Sequence, residues 1–479
     1  MLKRCAIFVH RWLGVALCLL FLLWFPSGIG MMYWDFPSVS ASDRLEHAAA
    51  LEASTIHFSP ADAYASSGLA QPPSQVRLNT FDGRPVYRFR AGRGETIVYA
   101  DTGERQREVS SELRARAAAA WVYDRRVGVD RVETLIEADQ WTVQGSFASQ
   151  RPLTKFSFSD GEQVYVGDAS GDVVQYTTPA SRLGAWLGPI PHWIYFTPLR
   201  RNPLAWNRFV TWASGLGAVA ALLGLIVGIW MSVSAGRIPY RGQKRWHTIL
   251  GLIAGLGAVT WAFSGMLSMD PFPPMTARNP TVIPQALRGR LTLAGFEAKD
   301  PREALAQLAG LAVKELELTL FAGEPIYLAT LGAGRTRIVP VASAPREEFD
   351  RQQIAAILSA AAQPAGLAES RVLDRYDRYY LDRRHEKPLP VILARVNDAE
   401  QTRYYIDPKT ARLVGSYSSR TWMSRWLYHG LHSLDFPWLY DYRPLWDVVM
   451  IAFMLGGTAL CVTSLILAWR VIGSSLPGR

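Results

Sequence analysis

Cysteine is nearly missing from this chain of 479 residues, since Cys5, Cys18 and Cys461 are all it has. All three fall in or beside long apolar runs, so no disulfide framework braces the polar parts. No Cys-x-x-Cys-His occurs, which excludes covalently attached c-type haem. Charge is scarce as well, at 19% of residues against 49% hydrophobic, and it is missing in blocks. Residues 12–34, 209–231, 246–269 and 448–469 contain no Asp, Glu, Lys or Arg. Each block is long enough to span the hydrocarbon core of a bilayer as a helix, which takes about 20 residues. A flavodoxin-like or nicotinamide-binding domain is also missing. "GLGAVA" at 215–220 mimics a dinucleotide fingerprint, but it lies inside an apolar run and not after a strand.

The charge that is present predicts topology. Lys3, Arg4, Arg11, Arg237, Arg241, Lys244, Arg245, Arg470 and Arg479 flank the apolar runs, and no acid offsets them within residues 232–246. The positive-inside rule then places both termini and the loop 232–245 in the cytoplasm. These nine residues nearly account for the net charge of +10, which leaves no basic surface for nucleic acid. The expected organisation is an N-terminal segment with a first membrane helix at 10–34 and an exported segment at 35–208. A helix at 209–231, the loop 232–245 and a helix at 246–269 follow. A second exported segment at 270–445, a helix at 446–469 and a cytoplasmic tail at 470–479 complete it. "MLKR" and "SVSA" (38–41) imitate a secretory signal, but the first run is long for a signal core and takes part in an internal repeat.

Both exported segments alternate helical and β-rich patterns, which predicts α+β domains. "ETIVYADTGE" (95–104), "QVYVGDASGDVV" (163–174) and "TRYYIDPKTARLV" (402–414) each run an aromatic strand into an Asp-containing turn. Helices are expected at 109–122, 301–311 and 346–362. The turns have a structural explanation in Asp and Gly chemistry alone.

The chain repeats itself. Shifting it by 237 residues superposes His10 on His247, Leu13 on Leu250, Gly14 on Gly251, Trp24 on Trp261, Ser27 on Ser264, Gly28 on Gly265 and Met32 on Met269. A shift of 240 superposes Trp186 on Trp426, His192 on His432, Phe196 on Phe436 and Trp206 on Trp446. The predicted fold class is an integral membrane helical protein of four helices, duplicated about a pseudo-twofold, with two exported α+β domains. Parallel repeats are commonly related by an axis along the membrane normal. Such an axis brings His10 to His247 near the inner face and His192 to His432 near the outer face. Two imidazoles facing one axis suit the two axial positions of a b-type haem, and sites of this kind form between facing helices. A lone histidine at a membrane boundary is ordinarily an interfacial residue, so the matched pairs carry the reading. His429 lies at i, i+3 from His432 and is the alternative outer ligand; its counterpart is Pro189, which favours His432. Zinc or copper competes, although zinc wants a third or fourth ligand and only Cys5 stands near. Arg11, Lys244 and Arg245 inside, with Arg425 and Arg443 outside, are candidates for haem propionates or for lipid headgroups alike.

Trp34, Trp206, Trp230, Trp446 and Trp469 fall at helix ends, where an aromatic belt is expected. Trp24 and Trp261 stand 14 residues beyond the inner histidines, about 21 Å along a helix, where they fit core packing or a place between two haems. Gly224 with Gly228, and Gly251 with Gly255, have the spacing that allows close helix approach. "RYDRYYLDRRHEK" (375–387) reads as a solvated charged strand edge, with contact to an anionic or aromatic chelate as its functional alternative.

"HRWLG", "YYLDRRHEKPLPV", "YYIDPKT" and "RWLYHGLHSLDFPWLYDYRPLWD" together resemble the PepSY-associated transmembrane family over nearly the whole chain. The "YxD…TG" turn at 98–103 fits the PepSY module, and Ala411 stands where that turn ordinarily has glycine. Two such units are expected in each exported segment. The resemblance extends to inner-membrane ferric-siderophore reductases. It implies two b haems held by His10, His247, His192 and His432, with a ferric siderophore as outside acceptor. The bacterial inner membrane is the implied location, and a separate reductase, free reduced flavin or a quinol the implied donor. Two rival expectations are a membrane-anchored binder of peptides or proteases and a metal permease. The permease reading meets helices almost without polar residues to line an ion path.

Overall fold

The computed structural model describes residues 1–92, 94–122, 126–272 and 285–475. Part of the expected second exported segment, 273–284, and the end of the expected tail, 476–479, lie outside the described residues. Four long apolar helices span Leu2–Tyr33, Pro203–Ala235, Gly242–Leu267 and Leu445–Ser475, each long and apolar enough to cross a membrane. Three of them overrun the predicted limits considerably, because an apolar run marks the greasy part of a helix and not its ends. The second begins where the Asn202 side chain accepts the Ala205 N–H and Pro203 occupies the first turn, a strong start signal. It stops at Gly236, whose φ of +64° ends the helix. The expected loop 232–245 thereby shrinks to residues 236–241.

The first long helix packs on the second and fourth, and the third also packs on the second and fourth. The first and third, which carry His10 and His247, therefore stand across a diagonal of the bundle. Phe25, Met32, Trp261, Met450 and Met454 fill its core.

Among the described residues fourteen strands make three antiparallel sheets. Strands β1 (Gln75–Phe81), β2 (Arg84–Ala91) and β3 (Gly94–Tyr99) come from the first segment. Strands β4 (Val129–Leu135), β5 (Leu153–Phe158), β6 (Gln163–Gly167) and β7 (Val173–Thr177) follow. The second segment supplies β8 (Glu315–Phe321), β9 (Glu324–Gly332) and β10 (Arg335–Pro340). It ends with β11 (Leu367–Leu373), β12 (Val391–Val396), β13 (Arg403–Asp407) and β14 (Arg412–Tyr417). One sheet has the order β10-β9-β8-β1-β2-β3, while β4 to β7 and β11 to β14 form four-stranded sheets of their own. The two segments are thus joined in one sheet through β1 and β8, where Val76 faces Leu318 and Leu78 faces Leu316. Leu78, Tyr87, Phe89, Leu316, Leu318 and Tyr327 form one core across that junction.

The three aromatic-strand turns fall where the sequence puts them. Gly103 (φ +72°) and Gly171 (φ +70°) take the left-handed conformation, and Ala411 takes it at φ +50° without a glycine, a conformation that opposes its Cβ. The expected helices are shorter than predicted, at Ser111–Ala119, Pro301–Ala306 and Arg351–Ala361. All three begin where a capping side chain takes the orphan amides: Ser110 accepts from Leu113, Asp300 from Arg302, and Asp350 from Gln352 and Gln353. Residues 375–387 are not a strand edge. Asp377 accepts the Tyr379 and Tyr380 amides, and the loop braces the bundle through an Arg384 ion pair with Asp35 and Arg383 over Trp446.

Candidate functional site

The diagonal helices bring His10 and His247 together, with ring centres 6.1 Å apart. His192, on the short helix Pro189–Trp193, meets His432, on the turn Leu431–Ser433, with ring centres 6.0 Å apart. Two imidazoles that share one metal, each through a bond of about 2.0 Å, stand about 6 Å apart centre to centre. Stacked rings would stand closer. Both pairs therefore have the spacing of ligands on opposite sides of one metal.

Hydrogen bonds orient all four rings alike. His10 Nδ1 lies 2.9 Å from the Ala220 carbonyl. His192 Nδ1 lies 3.2 Å from the Trp24 carbonyl and 3.3 Å from Ser27 Oγ. His247 Nδ1 lies 3.2 Å from Thr463 Oγ1, and His432 Nδ1 2.9 Å from Ser264 Oγ. Carbonyls only accept. The hydroxyls of Ser27, Thr463 and Ser264 donate to carbonyls of their own helices, those of Leu23, Leu460 and Trp261, and so offer lone pairs to the rings. The network assigns the proton to Nδ1 in each ring and leaves the Nε2 lone pair for a metal, the usual outer-shell arrangement of a histidine ligand.

Each pair lines a cavity. The one at His10 and His247 is about 380 Å³, walled by apolar side chains from all four long helices, with Arg11, Tyr240 and Lys244 also on its lining. The one at His192 and His432 is about 300 Å³ and is lined by Trp24, Trp193, Trp206, Trp261 and Tyr428 among others. Phe21 and Phe25 line both cavities, so two aromatic rings are the partition between them. Burial pushes the His192 imidazole down to about 4. Burial, with His192 and then His429 adding to it, pushes His432 down to about 3. Both rings are neutral at physiological pH, as ligation requires. Among the described residues no group of three or more His, Cys, Asp or Glu side chains gathers as a cage for a metal ion. The donor sets are pairs of imidazoles beside apolar cavities, which suits a flat ring that brings its own equatorial ligands and does not suit a bare ion.

Glycines make room for these rings. A Cβ on Gly224 would come within 2.4 Å of His10 Cε1, so the ring lies where a side chain would be. Gly28 and Gly265 are less demanding, since a Cβ on them would lie 3.6 Å from His192 Cε1 and 3.8 Å from His432 Cε1, ordinary contact distances. Trp206 and Trp446, expected in an aromatic belt, turn inward. Their Nε1 groups donate at 2.9 Å to the carbonyls of Trp193 and Ser433, each one residue after a paired histidine.

The remaining expected residues divide. Arg11 and Lys244 line the first cavity, whereas Arg245 is exposed and does not. His429 does not line the second cavity; its side chain is 48% exposed and points to Asp435, 3.8 Å away. Arg443 pairs with Asp447 and covers Trp446. Arg425 donates to the carbonyls of Arg378 and Asp435, with Nη1 buried and unpartnered. Neither arginine lines the second cavity. The contacts of Ser27, Ser264 and Thr463 with the histidine rings went unread in the sequence. Their signal was present, because a hydroxyl in an apolar run has few reasons to be there, and Ser27 with Ser264 belongs to the repeat.

Replacing Ser264 with alanine takes away the hydroxyl that lies 2.9 Å from His432 Nδ1. Loss of such an outer-shell partner ordinarily costs about 10- to 100-fold in metal-group affinity. A haem titration of the Ser264→Ala protein is expected to show one site weakened by that order and the other unchanged.

No protein-family model matches the chain, and no curated protein matches it.

Proposed function

We propose that this chain is a haem b protein of the bacterial inner membrane that passes electrons outward to a ferric siderophore. The observation that carries this reading is the pair of histidine pairs, each with ring spacing and Nδ1 contacts that would let it hold a haem. The reading includes a duplicated chain of the PepSY-associated transmembrane family, with both termini cytoplasmic and the β-rich segments in the periplasm. In support, shifts of 237 and 240 residues relate each histidine of a pair to the other. The flanking basic residues support the orientation.

Haem b supplies a one-electron iron couple when it is bound. His10 and His247 would hold one on the cytoplasmic side, with Arg11 and Lys244 placed for its propionates. His192 and His432 would hold the other on the periplasmic side, with Ser27 and Ser264 fixing their tautomers. Phe21 and Phe25 keep water and lipid out of the partition between the two sites. The substrate step is simple in electrons: ferric iron takes up one, becomes ferrous, and leaves oxygen ligands that prefer the harder ion. The donor is a separate reductase, a reduced flavin or a quinol, for the chain has no nucleotide-binding fold in its sequence.

A membrane-anchored peptide binder leaves the paired histidines without a purpose, and a permease would want polar walls where these cavities are walled mainly by apolar side chains. The test is to reduce the purified, haem-loaded protein with dithionite, remove the excess and add ferric siderophores with a ferrous chelator. Reoxidation of the protein with matching ferrous trapping is expected. Failure across hydroxamate, catecholate and carboxylate siderophores would assign the electrons to another acceptor.

A further inference from the structure

A third cavity, of about 370 Å³, lies in the β-rich region away from the histidines. Its size is within the range of small-molecule sites, and its lining is of a different kind, with five arginines and four acidic side chains. The floor is a closed network. Arg88, buried, donates to Asp172 at 2.8 and 2.9 Å, to Glu95 at 3.0 Å and to Asn79 at 3.1 Å. Asn79 in turn donates to Glu315 at 2.9 Å. The network ties together β1, β2, β3, β8 and the turn before β7, so both halves of the chain hold it rigid.

The rim is not balanced. Glu95 serves Arg77 at 2.6 Å and Arg88 at 3.0 Å, and reaches Arg90 only at 4.0 Å. Among the described residues Arg44 has no ion-pair partner. Beside these arginines the His47 ring lies flat on Trp121, 4.1 Å between centres and 4° between planes. Guanidinium groups are suited to planar carboxylates, which they bind through paired hydrogen bonds.

We propose that this cavity binds a small polycarboxylate anion, whose carboxylates pair with Arg44 and Arg90 beside the His47–Trp121 stack. The proposal does not depend on the haem reading. The anion can arrive free or as the ligand of a ferric chelate, and the two sources share the same carboxylate chemistry.

The experiment titrates the detergent-solubilised full chain with citrate, with ferric citrate and with uncharged trimethyl citrate, by calorimetry and by tryptophan fluorescence. Saturable binding of citrate or ferric citrate is expected, with no binding of the trimethyl ester. Binding of ferric citrate alone would identify the chelate as the ligand; binding of both would identify the carboxylates. The Arg44→Gln/Arg90→Gln protein is expected to bind at least tenfold more weakly. Should that variant misfold, the wild-type contrast between citrate and its ester still decides the matter. No saturable binding of either anion at millimolar concentration, equal binding of the ester, or unchanged affinity in the folded double variant would each overturn the proposal.

Discussion

On the proposed function, His247→Ala protein is expected to retain one haem against the two expected of the wild-type chain, and His10→Ala protein is expected to lose the same one. The two rings stand 6.1 Å apart and share one cavity, so either substitution removes half of a single ligand pair. Residues that act as a unit are strongly non-additive. The double variant should therefore lose no more than either single variant. His432→Ala should remove the other haem and leave the first untouched. The check is haem per chain by pyridine haemochrome, with circular dichroism to show that the fold persists. Wild-type haem content in both His10→Ala and His247→Ala would refute the assignment of that pair.

Gly30→Ala is expected to disrupt the second site although residue 30 touches no histidine. A Cβ there would lie 2.4 Å from the Leu187 carbonyl oxygen and 2.8 Å from Gly188 Cα, and both are backbone. The first long helix crosses the chain at this point, immediately before the short helix that carries His192. Backbone atoms have no rotamer to retreat into, so the segment itself must move. Overpacking of this kind ordinarily costs about 1 to 3 kcal/mol; with backbone on both sides the upper end applies, and the displacement passes directly to His192. Gly28→Ala is the control, since its Cβ would meet Met454 Sδ at 3.0 Å and Cε at 3.1 Å, the end of a flexible side chain. Haem content and thermal midpoint should fall clearly in Gly30→Ala and little in Gly28→Ala. Equal behaviour of the two variants would show that the crossing does not position His192.

The helix bundle was readable because a bilayer imposes a simple demand on sequence, about 20 residues without charge. The pairing of His10 with His247 and of His192 with His432 was readable because the residues recur at constant spacing. Other features left weaker traces. Nothing local to β1 or β8 says that they join, for their alternation is satisfied by any apolar partner, and the junction depends on two segments some 240 residues apart. The ends of the long helices were misplaced because Lys3 and Arg4 are good helix formers despite their charge. The inward turn of Trp206 and Trp446 was hidden by a general expectation for tryptophan at helix ends, although their match at a shift of 240 residues set them apart. Between His429 and His432 the sequence favoured the histidine whose ring meets His192. Only His432 has a sequence counterpart among the histidines, His192 at a shift of 240 residues.

The most direct measurement is the reduced-minus-oxidised absorption spectrum of the wild-type protein, purified in detergent after expression with ample haem precursor, together with its haem-to-chain ratio. Two haems per chain with the sharp α-band and Soret maximum of low-spin, bis-histidine b haem are expected. A correctly folded but colourless protein, or one whose haem is high-spin and so lacks a second axial histidine, would contradict the ligand pairs on which the proposed function stands.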